Sequence, residues 1–98
     1  MRITDKEKYL IIQYAKEIFG ENNNLYLFGS RIDDAKKGGD IDLFLESDKG
    51  INMEQQVEFI AKLYRNVTTR KIDLVVKNPL AADKPIYHTA KEEGILLC

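Results

Sequence analysis

The sequence predicts an α/β domain built on one small mixed sheet flanked by helices. Three observations predict it. Segments near the start and middle of the chain carry apolar residues at helical spacing. Short segments between and after them alternate apolar with polar. The two kinds take turns along the chain as helix, strand, helical turn, strand, helix, strand, helix, strand, the pattern of helices packed on a sheet.

The first helix starts at Thr4, where Glu7 completes a capping-box pattern. Ile11, Tyr14, Ala15, Ile18 and Phe19 give it one apolar face, and Gly20 stops it. Asn22-Asn23-Asn24 reads as a polar turn, and Leu25 to Phe28 as a short strand running into Gly29-Ser30. Ser30 is placed to cap a short helix over Arg31 to Lys37, which Gly38-Gly39 ends. Asp40 to Glu46 is the next strand, with Ile41, Leu43 and Leu45 on one side and Asp40, Asp42, Phe44 and Glu46 on the other. After the turn at Ser47 to Gly50, Asn52 with Gln55 opens a second long helix, whose inner stripe is expected at Val57, Ile60, Ala61 and Tyr64. A strand over Lys71 to Lys77 sets Ile72, Leu74 and Val76 against Asp73 and Val75. Asn78-Pro79 breaks it. Asp83 to Glu93 reads as the last helix, with Pro85 in its first turn and Gly94 at its close, before a short strand at Ile95-Leu96-Leu97.

Length and charge narrow the function. The 98 residues are expected to form a single domain, 1–98. So small a domain buries a modest share of its surface, so self-association or a partner would help stabilise it. Fifteen basic and sixteen acidic side chains leave a net charge of -1, without the basic excess of a general nucleic-acid binder. Cys98 is the one cysteine, which leaves no internal disulfide and no Cys/His zinc cluster. The first residues lack an apolar signal core, and no apolar run approaches the roughly 20 residues of a membrane span. Cytoplasm is the expected compartment.

The chemistry concentrates in one segment. Asp40 and Asp42 are two apart on a strand, so both carboxylates point one way. Paired hard carboxylates suit Mg²⁺, which in turn associates with phosphate. Taken alone, such a pair also fits a solvated strand edge. Just upstream, Gly29-Ser30 offers a close backbone approach, the free N–H groups of a helix start and a hydroxyl donor for a triphosphate, with Arg31 beside it. A plain strand-to-helix turn has the same composition. Asp73 supplies the third carboxylate, because Ile72-Asp73-Leu74 repeats Ile41-Asp42-Leu43. If the two strands are neighbours, Asp73 lies beside Asp42. Two Mg²⁺ ions roughly 3.5–4 Å apart would then activate a hydroxyl and stabilise a leaving pyrophosphate. Asp40 and Asp42 would hold both ions, and Asp73 one ion and the hydroxyl proton. His88, the only histidine, reads as a polar residue of the last helix, and the five tyrosines as core-edge residues.

Leu27-Phe28-Gly29-Ser30-Arg31, then Gly39-Asp40-Ile41-Asp42-Leu43, then Ile72-Asp73-Leu74, resembles the minimal nucleotidyltransferase (MNT) family, small relatives of the polymerase-beta superfamily. The resemblance covers nearly the whole chain, down to the glycine before the last strand in Glu93-Gly94-Ile95-Leu96-Leu97. It departs at Gly38-Gly39, where many members carry a serine before the first aspartate. It implies a polymerase-beta-like fold and Mg²⁺-dependent transfer of a nucleoside monophosphate, most often AMP from ATP, to a hydroxyl. It implies Gly29, Ser30 and Arg31 as nucleotide contacts, and Asp40, Asp42 and Asp73 as catalytic metal ligands. Many such proteins are antitoxins of a helical HEPN-type toxin, and some adenylylate a tyrosine of that partner. Two alternatives stand beside this expectation: an antitoxin that neutralises its partner by contact alone, and a transferase for a small aminoglycoside-like acceptor. The chain's length implies that a dimer or a separate protein completes the acceptor side.

Overall fold

Residues 3–28, 40–80 and 82–98 are described by the structure, a computed structural model. Helix α1 spans Asp5–Phe19 and begins as expected. The Thr4 hydroxyl accepts from Glu7 N at 3.0 Å while Glu7 Oε1 accepts from Thr4 N at 2.7 Å, so two N–H groups of the helix start are satisfied. Ile11, Ala15 and Phe19 are its buried stripe. Gly20 ends it at φ 91°, a left-handed conformation that glycine adopts without steric penalty.

The remaining elements are β1 (Asn23–Phe28), β2 (Ile41–Ser47), α2 (Met53–Asn66), β3 (Ile72–Lys77), α3 (Pro85–Glu93) and β4 (Ile95–Leu96). They form one four-stranded sheet in the order β3-β2-β1-β4. Strands β2 and β3 are parallel, and β1 is antiparallel to both β2 and β4, so the sheet is mixed as predicted.

The alternation in the sequence decides what each face meets. Ile41, Leu43 and Leu45 of β2 and Ile72, Leu74 and Val76 of β3 pack with α1 and α2 in the larger core. Phe44 and Val75 point the other way, into a smaller core with Tyr26, Phe28 and two residues of α3, Tyr87 and Ala90. Strand β2 is therefore covered on both sides.

Several boundaries differ from those read in the sequence. Strand β1 begins at Asn23 and not at Leu25, because the Asn23 amide donates to the carbonyls of Phe19 and Gly20, at 2.8 and 3.3 Å, and so closes the end of α1. Helix α3 begins at Pro85 and not at Asp83, whose carboxylate engages His88 Nε2 at 2.7 Å and caps nothing. That hydrogen bond holds the Asp83 carboxyl below its ordinary value. The inner face of α2 is also different. Phe59 and Leu63 are buried, whereas Val57 and Tyr64 are exposed. The Phe59 ring meets Phe19 of α1, centroids 4.9 Å apart, and that aromatic contact orients the helix. Tyr87 is buried and not at the core edge. The short helix expected over Arg31 to Lys37 lies outside the described residues.

Gly94 is required by space. A Cβ there would collide with the Ala90 carbonyl oxygen and stand 3.1 Å from Leu27 O and 3.2 Å from Phe28 Cβ. Two of those three neighbours are backbone atoms, which cannot move without shifting α3 or β1. Gly94→Ala is expected to destabilise the fold by about 1–3 kcal/mol, read as a lower urea midpoint at unchanged slope.

Candidate active site

Asp42 and Asp73 are direct partners in the parallel β2–β3 ladder. Adjacent strands lie about 4.8 Å apart, and paired residues point to the same face, so the two half-buried side chains emerge side by side. The repeated Ile-Asp-Leu pattern fixes this. Ile41, Leu43 and Ile72 are sunk in the larger core, and half-buried Leu74 packs against it. A slip of one residue in either strand would turn its aspartate into that core and its flanking apolar residues out, an arrangement of much higher free energy.

Asp40 is half-buried one residue before β2. Ile41 N donates to Lys71 O at 2.8 Å, which ties the start of β2 to the residue preceding β3. On the other side of β2, Phe28 is the antiparallel partner of Asp42. The chain thus leaves β1 at Phe28 and returns at Asp40, at the end of the sheet where Asp42 and Asp73 lie. Gly29, Ser30 and Arg31 fall between those points and outside the described residues.

The layer beneath the carboxylates is firm. Phe44, next along the Asp42 face, stacks on Tyr87 with centroids 5.5 Å apart and meets Tyr26 at 5.8 Å. Lys91 of α3 pairs with Glu46 of β2 at 3.3 Å. Sequence reasoning missed Lys71, whose amine is 3.9 Å from Asp73 Oδ1. The available signal was its position two residues before Asp73, in the segment the sequence reads as one strand. Lys71 is exposed and Asp73 only half-buried, so the pair adds little stability.

Among the described residues, no three His, Cys, Asp or Glu side chains form a group that could hold a metal ion. The donor set nevertheless fits Mg²⁺. Magnesium is usually held by one or two carboxylates together with substrate phosphates and water, not by an all-protein cage. Carboxylates without a cation between them also repel one another. Asp42 and Asp73 are paired and supply two hard oxygen donors, whereas Asp40, two residues before Asp42, is not grouped with them into a three-carboxylate cluster.

A family model described as polymerase beta, nucleotidyltransferase matches residues 11–98. Two solved structures share the fold. One is the crystal structure of the toxin–antitoxin MntA–HpeT mutant; the matched chain is 19% identical, with a TM-score of 0.72 over 93% of this chain and 71% of that one. The other is the tri-AMPylated Shewanella oneidensis HEPN toxin in complex with MNT antitoxin, 20% identical, with a TM-score of 0.72 over 98% of this chain and 72% of that one. No curated protein matches.

Proposed function

We propose that this chain, which belongs to the polymerase beta nucleotidyltransferase family, transfers AMP from ATP to a hydroxyl of a helical HEPN-type protein and thereby acts as its antitoxin. The pairing of Asp42 with Asp73 carries the reading, since two packed cores hold these carboxylates side by side. The partner class is supported by the fold shared with complexes described as toxin–antitoxin pairs, one of them holding a tri-AMPylated toxin.

In this reading Asp40, Asp42 and Asp73 hold Mg²⁺, and Gly29, Ser30 and Arg31 contact the triphosphate. When bound, the metal neutralises phosphate charge and lowers the pKa of a coordinated hydroxyl. The acceptor oxygen attacks the α-phosphorus and forms the new P–O bond. The bond from that phosphorus to the α–β bridging oxygen breaks, and pyrophosphate leaves with the electron pair. Asp73 accepts the hydroxyl proton and passes it to water. The half-buried setting of Asp42 and Asp73 leaves them reachable by a nucleotide while Phe44 and Tyr87 keep their strands from shifting.

Mass spectrometry of the toxin partner after co-expression tests the proposal. The wild-type chain is expected to add one or more AMP groups and protect the cell. An Asp40→Ala/Asp42→Ala double variant is expected to do neither. Equal protection by both chains, with no nucleotide on the partner, would remove the enzymatic reading in favour of neutralisation by contact.

A further inference from the structure

Helix α2 carries two apolar stripes, and the sheet uses only one. Phe59 and Leu63 are buried against it. Met53, Val57, Ile60 and Tyr64 recur at spacings of four, three and four, which aligns them along one line of a helix. Met53 is 70% exposed, Val57 58% and Tyr64 43%, with Ile60 half-buried between them.

Contacts on either side show where this line lies. The Lys62 amine meets Glu17 at 2.6 Å and Gln55 Nε2 donates to Ile18 O at 3.1 Å, so one flank of α2 faces α1. Tyr64 Oη accepts from Ile72 N at 2.8 Å, so the other flank lies over β3, an edge strand. The exposed stripe runs along that second flank, at the open edge of the sheet. A helix flank that faced only water would be expected to be polar.

Charge selects what covers it. The row next to the stripe reads Glu54, Glu58, Ala61, Arg65, acidic at its start and basic at its end. Neither Glu54 nor Arg65 forms an ion pair among the described residues. A row running from negative to positive complements its own reverse. We propose that α2 is the interface of a two-fold dimer, with the helices of two copies packed antiparallel along this stripe. In antiparallel pairs a flank meets the same flank of its twin, so the interface is self-complementary. Met53 then meets Tyr64 of the second copy, Val57 meets Ile60, and Glu54 faces Arg65 at both ends. Parallel two-fold packing would set the charged row on opposite sides of the interface, away from its twin, and a uniformly basic partner helix would clash with Arg65.

The stripe is ordered in advance. Asn52 Oδ1 accepts from Gln55 N at 2.8 Å and fixes the turn that carries Met53, and Tyr64 is held by β3. Little ordering is needed on association, which favours even a small interface. Four residues a side is far below the roughly 20–30 of a standard interface, so the dimer is weak. It lies on the sheet face opposite Asp42 and Asp73, so dimer formation and nucleotide transfer are separate events.

Sedimentation velocity on the full chain, from about 10 µM to about 1 mM, tests the proposal, with the mass expected to rise from one chain towards two. Val57→Glu is expected to abolish the rise without changing the melting curve, because Val57 is exposed. Glu54→Arg and Arg65→Glu should each weaken association about tenfold, through two lost pairs and new repulsion. An equimolar mixture of these two variants should associate again, since both ends of the heterodimer are then complementary. A wild-type mass that stays at one chain to 1 mM overturns the proposal. So does association that Val57→Glu leaves intact, or a mixture that associates no better than its components.

Discussion

Asp42→Asn is expected to remove nucleotide transfer while leaving the domain folded. The substitution keeps the side-chain volume and takes away the charge on one of two carboxylates that stand as cross-strand partners. Charge neutralisation at a phosphoryl centre is worth several kcal/mol of transition-state stabilisation, so the transfer rate should fall by roughly a thousandfold. Stability should change little, within about 0.5 kcal/mol, because Asp42 is half-buried and its strand is held from both sides by other residues. Calorimetry with ATP supplies a second readout. Binding to the wild-type chain should tighten when Mg²⁺ is added, and binding to Asp42→Asn should be indifferent to it. Nucleotide binding by the wild type that ignores Mg²⁺, or transfer by the variant at the wild-type rate, would refute the assignment of Asp42.

Much of this site was legible because strand parity is a strong constraint. Ile41-Asp42-Leu43 and Ile72-Asp73-Leu74 each say that the aspartate faces away from its neighbours, and the structure keeps both statements. The sequence could not say that the two strands are adjacent, in parallel, and in the register that pairs the aspartates. Register follows from how two cores close on opposite faces of β2, which involves residues far apart in the chain.

Helix α2 shows the limit of periodicity. Its sequence contains two stripes, and the one with more apolar residues, through Val57 and Tyr64, is the exposed one. Counting apolar positions cannot show which stripe the sheet selects. That choice rests on Phe59 meeting Phe19 and on Leu63 filling the space beside it, both contacts between distant segments. Both capping boxes, at Thr4 and Asn52, were readable because a cap is local, closed by residues three apart. The start of the last helix was placed two residues early for a reason equally local but ambiguous in sequence: the Asp83 carboxylate had a histidine available five residues on.

Phe44→Ala is expected to cost the fold more than any other change considered. Phe44 is fully buried in a core whose other buried members are Tyr87 and Ala90, and its ring bridges Tyr26 of β1 and Tyr87 of α3. Removing a buried phenylalanine side chain costs about 3–5 kcal/mol in lost transfer energy and residual cavity. Domains of this size hold roughly 5–15 kcal/mol in total, so a third or more of the stability is at stake. At roughly 4–8 °C per kcal/mol, the melting temperature should drop by about 15 °C or more. The effect should not be uniform. Helix α3 loses its buried contact with β2 once the ring is gone and keeps its packing on Tyr26 and Phe28 of β1, the Lys91–Glu46 pair adding little. Amide exchange should therefore accelerate first in α3 and last in α1 and α2, whose larger core is untouched. Phe44→Leu, which retains much of the volume and loses the ring contacts, should fall between the two, at about 1–2 kcal/mol. Because Phe44 is two residues from Asp42 on the same face, the leucine variant should still transfer nucleotide and the alanine variant should not, even below its melting temperature. A Phe44→Ala chain within 1 kcal/mol of wild type would mean that α3 is held by something other than this aromatic contact.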